Sequence, residues 1–263
     1  MKKAREILIW SVLAAYMIVT LGFVAVKRQQ STCSEIGVEI VDKTGNYFIE
    51  PSDVAGMIRR GNKEIIGCHI DTLNLNRIEN SIAKHPSVKE ARMFRTLSGR
   101  LRVDIEQRNP ILRIINAYQQ SFYIDEDGLP MPLSRQYTAR VLVANGNIKE
   151  NFQQSMYKLK NADYSHPDSL LGNMPAQLYF FTKSIQRNKF WRAQIDQIYV
   201  RDGEFELVPR IGAHVVMFGD IREYKTKLRN LKLVYEQGFG KEGWNKYKYI
   251  NLKYKNQVIC TKR

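Results

Sequence analysis

Residues 85–110 read HPSVKEARMFRTLSGRLRVDIEQRNP. Pro86 stops a helix that arrives from the N-terminal side, because proline cannot continue an i to i−4 ladder. Two strand patterns follow, SVKEARMFRT and RLRVDIEQR, joined by Leu97-Ser98-Gly99, a hairpin signal. Leu101, Val103 and Ile105 alternate with Arg102, Asp104 and Glu106, as expected of a strand with one buried face. Val88 and Ala91 belong to the core, and Arg108-Asn109-Pro110 leads out of the sheet.

On the N-terminal side, EIGVEIVD (35–42) carries Ile36, Val38 and Ile40 in alternation, a third strand, and Lys43-Thr44-Gly45-Asn46 is a turn. In FIEPSDVAGMIRRG, Pro51 suits a first helical turn and Ser52 or Asp53 can cap it. Val54, Met57 and Ile58 fall on one face, and Gly61 ends the helix. In LNLNRIENSIAKHP, Leu75, Ile78 and Ile82 mark a second helix. The order strand, helix, helix, strand, strand predicts a small α+β domain over 35–110. Two helices cover one face of a three-stranded sheet, leaving the other face and a strand edge available for pairing. Arg59, Arg60 and Asn62 form a basic end to the first helix.

The remainder, 111–263, reads as a mainly antiparallel β domain with flanking helices. FYIDEDGLPMPLS (122–134) is a strand closed by a solvated acidic turn, Asp125-Glu126-Asp127-Gly128. The acids lack the spacing of a calcium loop. ARVLVANGNI (139–148) is a continuous apolar strand ended by Asn145-Gly146. Residues 177–191 read as a helix with Leu178, Phe181 and Ile185 on one face. AQIDQIYVRDGEFELVPRIGAHVVMFG contains three strand patterns with turns at Asp202-Gly203 and Ile211-Gly212. EYKTKLRNLKLVYEQG is an amphipathic helix, with Leu228, Leu231 and Tyr235 buried and Lys225, Lys227, Arg229 and Lys232 wet. In YKYINLKYKNQVICTKR (247–263), Ile250, Leu252 and Tyr254 alternate with Asn251, Lys253 and Lys255, predicting one last, lysine-rich edge strand.

At the other end, Ile7–Val26 (ILIWSVLAAYMIVTLGFVAV) holds no charged residue. Twenty helical residues span roughly 30 Å, the thickness of a bilayer's hydrocarbon. The run exceeds the core of a cleavable signal and lacks a small-x-small site after it, so it reads as an uncleaved single transmembrane helix. Lys2, Lys3 and Arg5 place a short tail, residues 1–6, in the cytoplasm and the rest across the membrane; Lys27 and Arg28 weaken that asymmetry, and the alternative is that the large C-terminal part stays cytoplasmic. The formal net charge of +15 suits a domain tethered beside anionic headgroups. No basic and aromatic stripe suggests nucleic acid. Cys33, Cys68 and Cys260 allow one bridge that the sequence cannot pair, and Cys68 and Cys260 read by default as small buried residues. His69, His85, His166 and His214 do not sit at metal spacing, and His69-x-Asp71 alone is no site. No catalytic motif is present: no G-x-S-x-G, H-E-x-x-H or phosphate-cradling Gly-rich loop. No cofactor, metal or small-molecule substrate is expected.

The stretch from His85 through Pro86, Val88, Ala91, Met93 and Arg95, then Leu101, Val103, Ile105, Glu106, Arg108 and Pro110, resembles the POTRA domain of the FtsQ/DivIB family of bacterial division proteins. There "hP-x-V-x-x-A-x-V-x-R" leads to "L-x-I-x-V-x-E-R-x-P", and Gln107 departs by separating Glu106 from Arg108. The Ile124-Asp125 turn, Ala139–Ile148 and the series from Glu206-Leu207-Val208-Pro209-Arg210 to Asn251–Cys260 resemble the family's β domain. The resemblance implies a non-enzymatic bitopic scaffold of the divisome. Its exported part would bind the coiled-coil membrane partners FtsB and FtsL, contact other divisome membrane proteins, and help recruit and regulate septal peptidoglycan synthesis. It also implies that the last strand receives a strand from FtsB, which places partner binding at Lys253, Tyr254, Lys255, Asn256, Gln257 and Val258, with Tyr254 as the aromatic anchor. A POTRA-bearing transport or outer-membrane assembly component is one alternative, and a membrane-anchored cell-wall enzyme is another.

Overall fold

In the computed structural model the described residues are 2–29, 32–41, 45–61, 65–69, 72–96, 99–239 and 243–263; side chains of the first helix are described from 9 to 22. Chain contacts divide the protein into two compact units: Met1–Gly45 with Ile49–Gln107, and Asn46–Phe48 with Arg108–Arg263.

The first unit contains α1 (Lys2–Gln29), β1 (Ile36–Ile40), α2 (Pro51–Gly61), α3 (Leu75–Ala83), β2 (Val88–Arg95) and β3 (Leu101–Gln107). The sheet order is β1-β3-β2, with β3 parallel to β1 and antiparallel to β2. Alternation decides the register: Leu101, Val103 and Ile105 are fully buried and pack with Val54 and Ile58 of α2 and Ile78 and Ile82 of α3. The inward sequence continues to Gln107, which is buried and accepts the Ile49 N–H at 3.0 Å. The extra residue of the sequence motif therefore holds the entry to α2 and does not shift β3. On β2 the register shifts between Val88 and Glu90, which explains why the buried residues Val88 and Ala91 are three apart. Asn74 caps α3, accepting from Arg77 N. The residues Lys43, Thr44, Leu97 and Ser98 of the expected turns lie outside the described residues, as do Asn62 and Asp71.

The second unit is a nine-stranded mixed sheet with helices. Its elements are β4 (Pro110–Ile115), β5 (Ser121–Asp125), β6 (Pro130–Met131), β7 (Leu142–Gly146), α4 (Phe152–Lys160), α5 (Met174–Gln186), α6 (Lys189–Gln194), β8 (Ile195–Arg201), β9 (Glu204–Pro209), β10 (Val215–Gly219), α7 (Tyr224–Leu233), β11 (Tyr247–Asn251) and β12 (Ile259–Lys262). The spatial order is β12-β11-β10-β9-β8-β7-β4-β5-β6. The pairs β4·β7, β7·β8 and β10·β11 are parallel and the other pairs are antiparallel.

Three sequence expectations are corrected here. The strand expected over 139–148 is β7: it closes at Asn145-Gly146 as expected, where Gly146 has φ 99° and a Cβ would lie 2.3 Å from Val200 O, but it begins only at Leu142. The helix over 177–191 is two helices: the Asn188 side chain accepts from Phe190 N and Trp191 N, capping α6 anew. The helix after Asp220 begins at Tyr224, and past Leu233 it widens into a π-helical turn, Val234–Phe239. The segment α4, with its capping box between Asn151 and Gln154, was not read from the sequence.

The acidic turn is not wholly solvated. Asp125 is fully buried. Arg108 donates to its Oδ2 at 2.8 Å, while Asp127 N and Leu129 N donate to its Oδ1 at 3.0 and 2.7 Å. Glu126 N donates to Asn109 O at 3.0 Å, and Tyr179 of α5 donates its hydroxyl to Glu126 O at 2.9 Å. Beside it, Phe48 and Tyr137 pack edge-to-face on one another, Phe48 also meets Tyr123, and the Tyr123 hydroxyl accepts from Ala139 N.

Removing one partner of a buried ion pair leaves an uncompensated charge, at a cost of about 3–5 kcal/mol. Arg108→Met is therefore expected to lower unfolding stability by about that amount, measured by urea titration at neutral pH. Adding Asp125→Asn, which keeps the turn's acceptor and removes the charge, restores part of the loss. An Arg108→Met variant as stable as the parent would refute this role for the pair.

Candidate functional site

The C-terminal residues build one end of the nine-stranded sheet. Strand β11 lies parallel to β10, with Val216 opposite Ile250, and β12 turns back antiparallel to β11, pairing Ile250 with Cys260 and Asn251 with Ile259. Among the described residues, β12 has β11 on one side in the sheet order and no strand on the other. Arg263 N donates inward to Lys246 O at 3.1 Å. Successive N–H groups of a strand point to opposite sides, so the Lys262 N–H faces outward.

This corrects the expected single last strand. Lys253, Tyr254, Lys255, Asn256, Gln257 and Val258 lie between β11 and β12, on the connection of a hairpin and not on a strand. The reason is local. Lys253 N donates to the Asn251 side chain at 3.0 Å, and Asn256 takes φ 61°, a left-handed conformation that asparagine tolerates. The hairpin tip is wet, with Tyr254 51% exposed, whereas Leu252 is buried and Val258 packs partly against the main core. Lys253 pairs with Glu204, and Lys255 lies 3.9 Å from Glu223. The structure thus gathers the six predicted residues on the connection beside β12, and the expected strand is resumed only at Ile259–Lys262, because the turn at Asn256 interrupts it.

A small polar cleft of about 240 Å³ opens between the hairpin and the start of α7, lined by Asp220, Arg222, Thr226, Lys227, Tyr254 and Asn256. Burial alone would raise the Asp220 carboxyl, but hydrogen bonds from Arg222 and Lys227 outweigh it and hold the group below its usual range. Lys227 donates to the Asp220 carbonyl at 2.8 Å and to its carboxylate at 3.1 Å.

Under the hairpin lies an aromatic core that the sequence did not single out. His214, only 2% exposed, lies beside Tyr235, Phe239 and Trp244, and Phe239 stacks on Tyr247 of β11. His214 Nε2 and the Tyr235 hydroxyl are 2.9 Å apart. Burial, with a smaller push from Arg263, lowers the His214 pKa to about 4, and burial pushes the Tyr235 phenol up. The Arg263 guanidinium donates to Ala213 O, so the chain's end is fastened beside the same histidine.

The model of the FtsQ/DivIB, C-terminal related family matches residues 109–261, and a POTRA-like domain model matches residues 31–106. A similar curated protein is the cell division protein FtsQ of Rhodothermus marinus. It is 26% identical over 209 residues, which cover 78% of this chain and 71% of that protein.

Because the folded state keeps His214 neutral, the unfolded chain binds the additional proton between the ordinary histidine pKa and about 4. The stabilisation is complete above pH 6.5 and lost as pH falls towards 4. A His214→Gln variant is expected to show a flatter pH dependence over this window, measured as the urea midpoint at pH 7 and pH 4.5. Parallel profiles for the two proteins would remove His214 from the explanation.

Proposed function

Because the chain belongs to the FtsQ/DivIB family, we propose that it is a non-enzymatic, single-pass scaffold of the bacterial division machinery. It binds FtsB- and FtsL-type membrane partners with its exported domains and helps recruit and regulate septal peptidoglycan synthesis. The observation that carries this reading is the open outer side of β12 at the end of the nine-stranded sheet. A strand presenting unpaired N–H and C=O groups is a template for an extended segment of another chain. Backbone hydrogen bonds then supply affinity, and alternate side chains supply selectivity.

The chemistry around the edge supports an acidic partner segment. Lys253, Lys255, Lys262 and Arg263 surround it, and such charges act mainly on encounter rate and register. Tyr254, exposed at the hairpin tip, offers the aromatic surface that dominates interface energetics.

In this reading α1 is the anchor, with residues 1–6 cytoplasmic and the two units on the outer side of the inner membrane. Among the described residues no helix is long and apolar enough to cross a membrane, and the side chains at both ends of the 7–26 run lie outside the described residues. Two features of α1 support the anchor. Its described residues include exposed apolar side chains around the helix, such as Trp10, Val12, Leu13, Tyr16 and Ile18. The Thr20 hydroxyl is satisfied within the helix by Tyr16 O at 2.9 Å, as a polar group in hydrocarbon requires.

The test uses the full chain in lipid nanodiscs and the extracytoplasmic segment of an FtsB-type protein. Lys262→Pro removes an outward N–H while leaving the inward ladder intact, and is expected to weaken binding at least about tenfold. Tyr254→Ala is expected to weaken it by a similar factor. Binding that both variants retain, with unchanged circular dichroism, would move the interface away from β12.

A further inference from the structure

The fold brings together two cysteines that lie far apart in the sequence. Thr32 forms an isolated antiparallel bridge with His69, which sets Cys33 opposite Cys68 in the same register. Cys33 N donates to Cys68 O at 2.9 Å, and Gly67 N donates to Cys33 O at 2.8 Å, with Gly67 at φ 90°. This is the hydrogen-bond pattern of a glycine bulge, in which the residue after the glycine stands directly across from its partner. Hydrogen-bonded cross-strand neighbours have Cα atoms about 5.5 Å apart, inside the range a disulfide spans. Both thiols are free in this structure, with Cys33 Sγ 3.7 Å from Glu35 O. Cys33 is fully buried and Cys68 half-buried. Burial raises the Cys33 thiol, and the nearby Cys68 adds a smaller push in the same direction. Cys260 lies in β12 of the second unit.

We propose that Cys33 and Cys68 form a disulfide in the exported protein, a bridge that fastens the chain just beyond α1 to the segment between α2 and α3. The proposal rests on the exported topology of the preceding section, because disulfides persist in oxidising compartments. The oxidant is a protein disulfide of the thiol-oxidase class. The more accessible Cys68 loses its proton to solvent and its thiolate attacks one oxidant sulfur, forming a mixed disulfide and releasing the other oxidant sulfur as a thiolate. Cys33, deprotonated in turn, attacks the Cys68 sulfur and expels the second oxidant thiolate. Two protein thiols are oxidised to one disulfide, and the oxidant's disulfide is reduced to a dithiol.

Two measurements test this. In the first, the purified, reduced full chain in detergent is placed in a glutathione redox buffer and digested without reduction for mass spectrometry. A linked Cys33–Cys68 peptide is expected, together with a rise in the first unit's unfolding midpoint on the order of 10 °C over the reduced protein, since the bond closes a loop of roughly 35 residues. Linkage through Cys260, or no intramolecular bond, overturns the proposal. In the second, membranes are denatured directly into a maleimide–polyethylene glycol reagent. The parent is expected to label once without reduction and three times after it, and Cys33→Ser and Cys68→Ser are each expected to label twice without reduction. A bond that forms in the purified chain while all three thiols label in membranes would support the geometry and overturn the exported topology.

Discussion

The second unit depends on one buried charge. Asp125 sits at the end of β5 with essentially no exposure, and a carboxylate there is tolerable only because Arg108, Asp127 N and Leu129 N all point at it. Those bonds reach in two directions. Arg108 is the residue with which the chain leaves the three-stranded sheet, and the two N–H groups belong to the turn that carries β5 into β6. The pair therefore fixes where the nine-stranded sheet begins. The Glu126 bonds to Asn109 and Tyr179 then attach the same turn to the start of β4 and to α5. Burying so polar a junction favours specificity over raw stability, since a shifted register would leave the carboxylate without its donors.

Arg108 and Asp125 also show how much of the fold was legible from sequence. Both belong to motifs that resemble one family, and both were read singly: the arginine as an exit from a sheet, the aspartate as part of a wet turn. Their meeting is a tertiary fact, across a separation that no periodicity reports. Where one buried face imposed period two or period three to four, the reading held, as in β1, β3, α2, α3 and β8 to β10. It failed where a side chain overrode the pattern locally. Asn188 interrupts one helix by capping another, and Asn256 breaks an alternation that runs on in the letters. Asparagine's capacity to cap and to enter the left-handed region is visible in sequence only as a possibility.

The candidate interface divides in the same way. The six residues expected on the last strand lie together on the β11–β12 connection, and the strand with the open edge begins just after them. What holds that edge in place is an aromatic cluster around His214, Tyr235, Phe239 and Trp244, assembled from the residue just before β10, the π-helical turn and the loop before β11. A terminal strand pair with a polar, lysine-rich outer side has little apolar burial of its own. Its order comes from the cluster beneath it, to which Tyr247 and Ile250 are attached. The edge pairing proposed above would require one fixed geometry, and this aromatic floor would supply it.

Residues Asn46–Phe48 count with the second unit although the chain on either side of them counts with the first. Phe48 packs on Tyr123 and Tyr137, and Asn46 bonds with Asn109 and Tyr137. Gene fusion and recombination exchange contiguous stretches of coding sequence. A crossover placed between Gln107 and Arg108 would deliver the second unit without its own phenylalanine, and would leave the first with an orphaned aromatic loop. What looks in the linear sequence like a clean boundary at Gln107 therefore does not contain all of the second unit, whose aromatic contact from Phe48 to Tyr123 and Tyr137 is drawn from an earlier stretch of the chain.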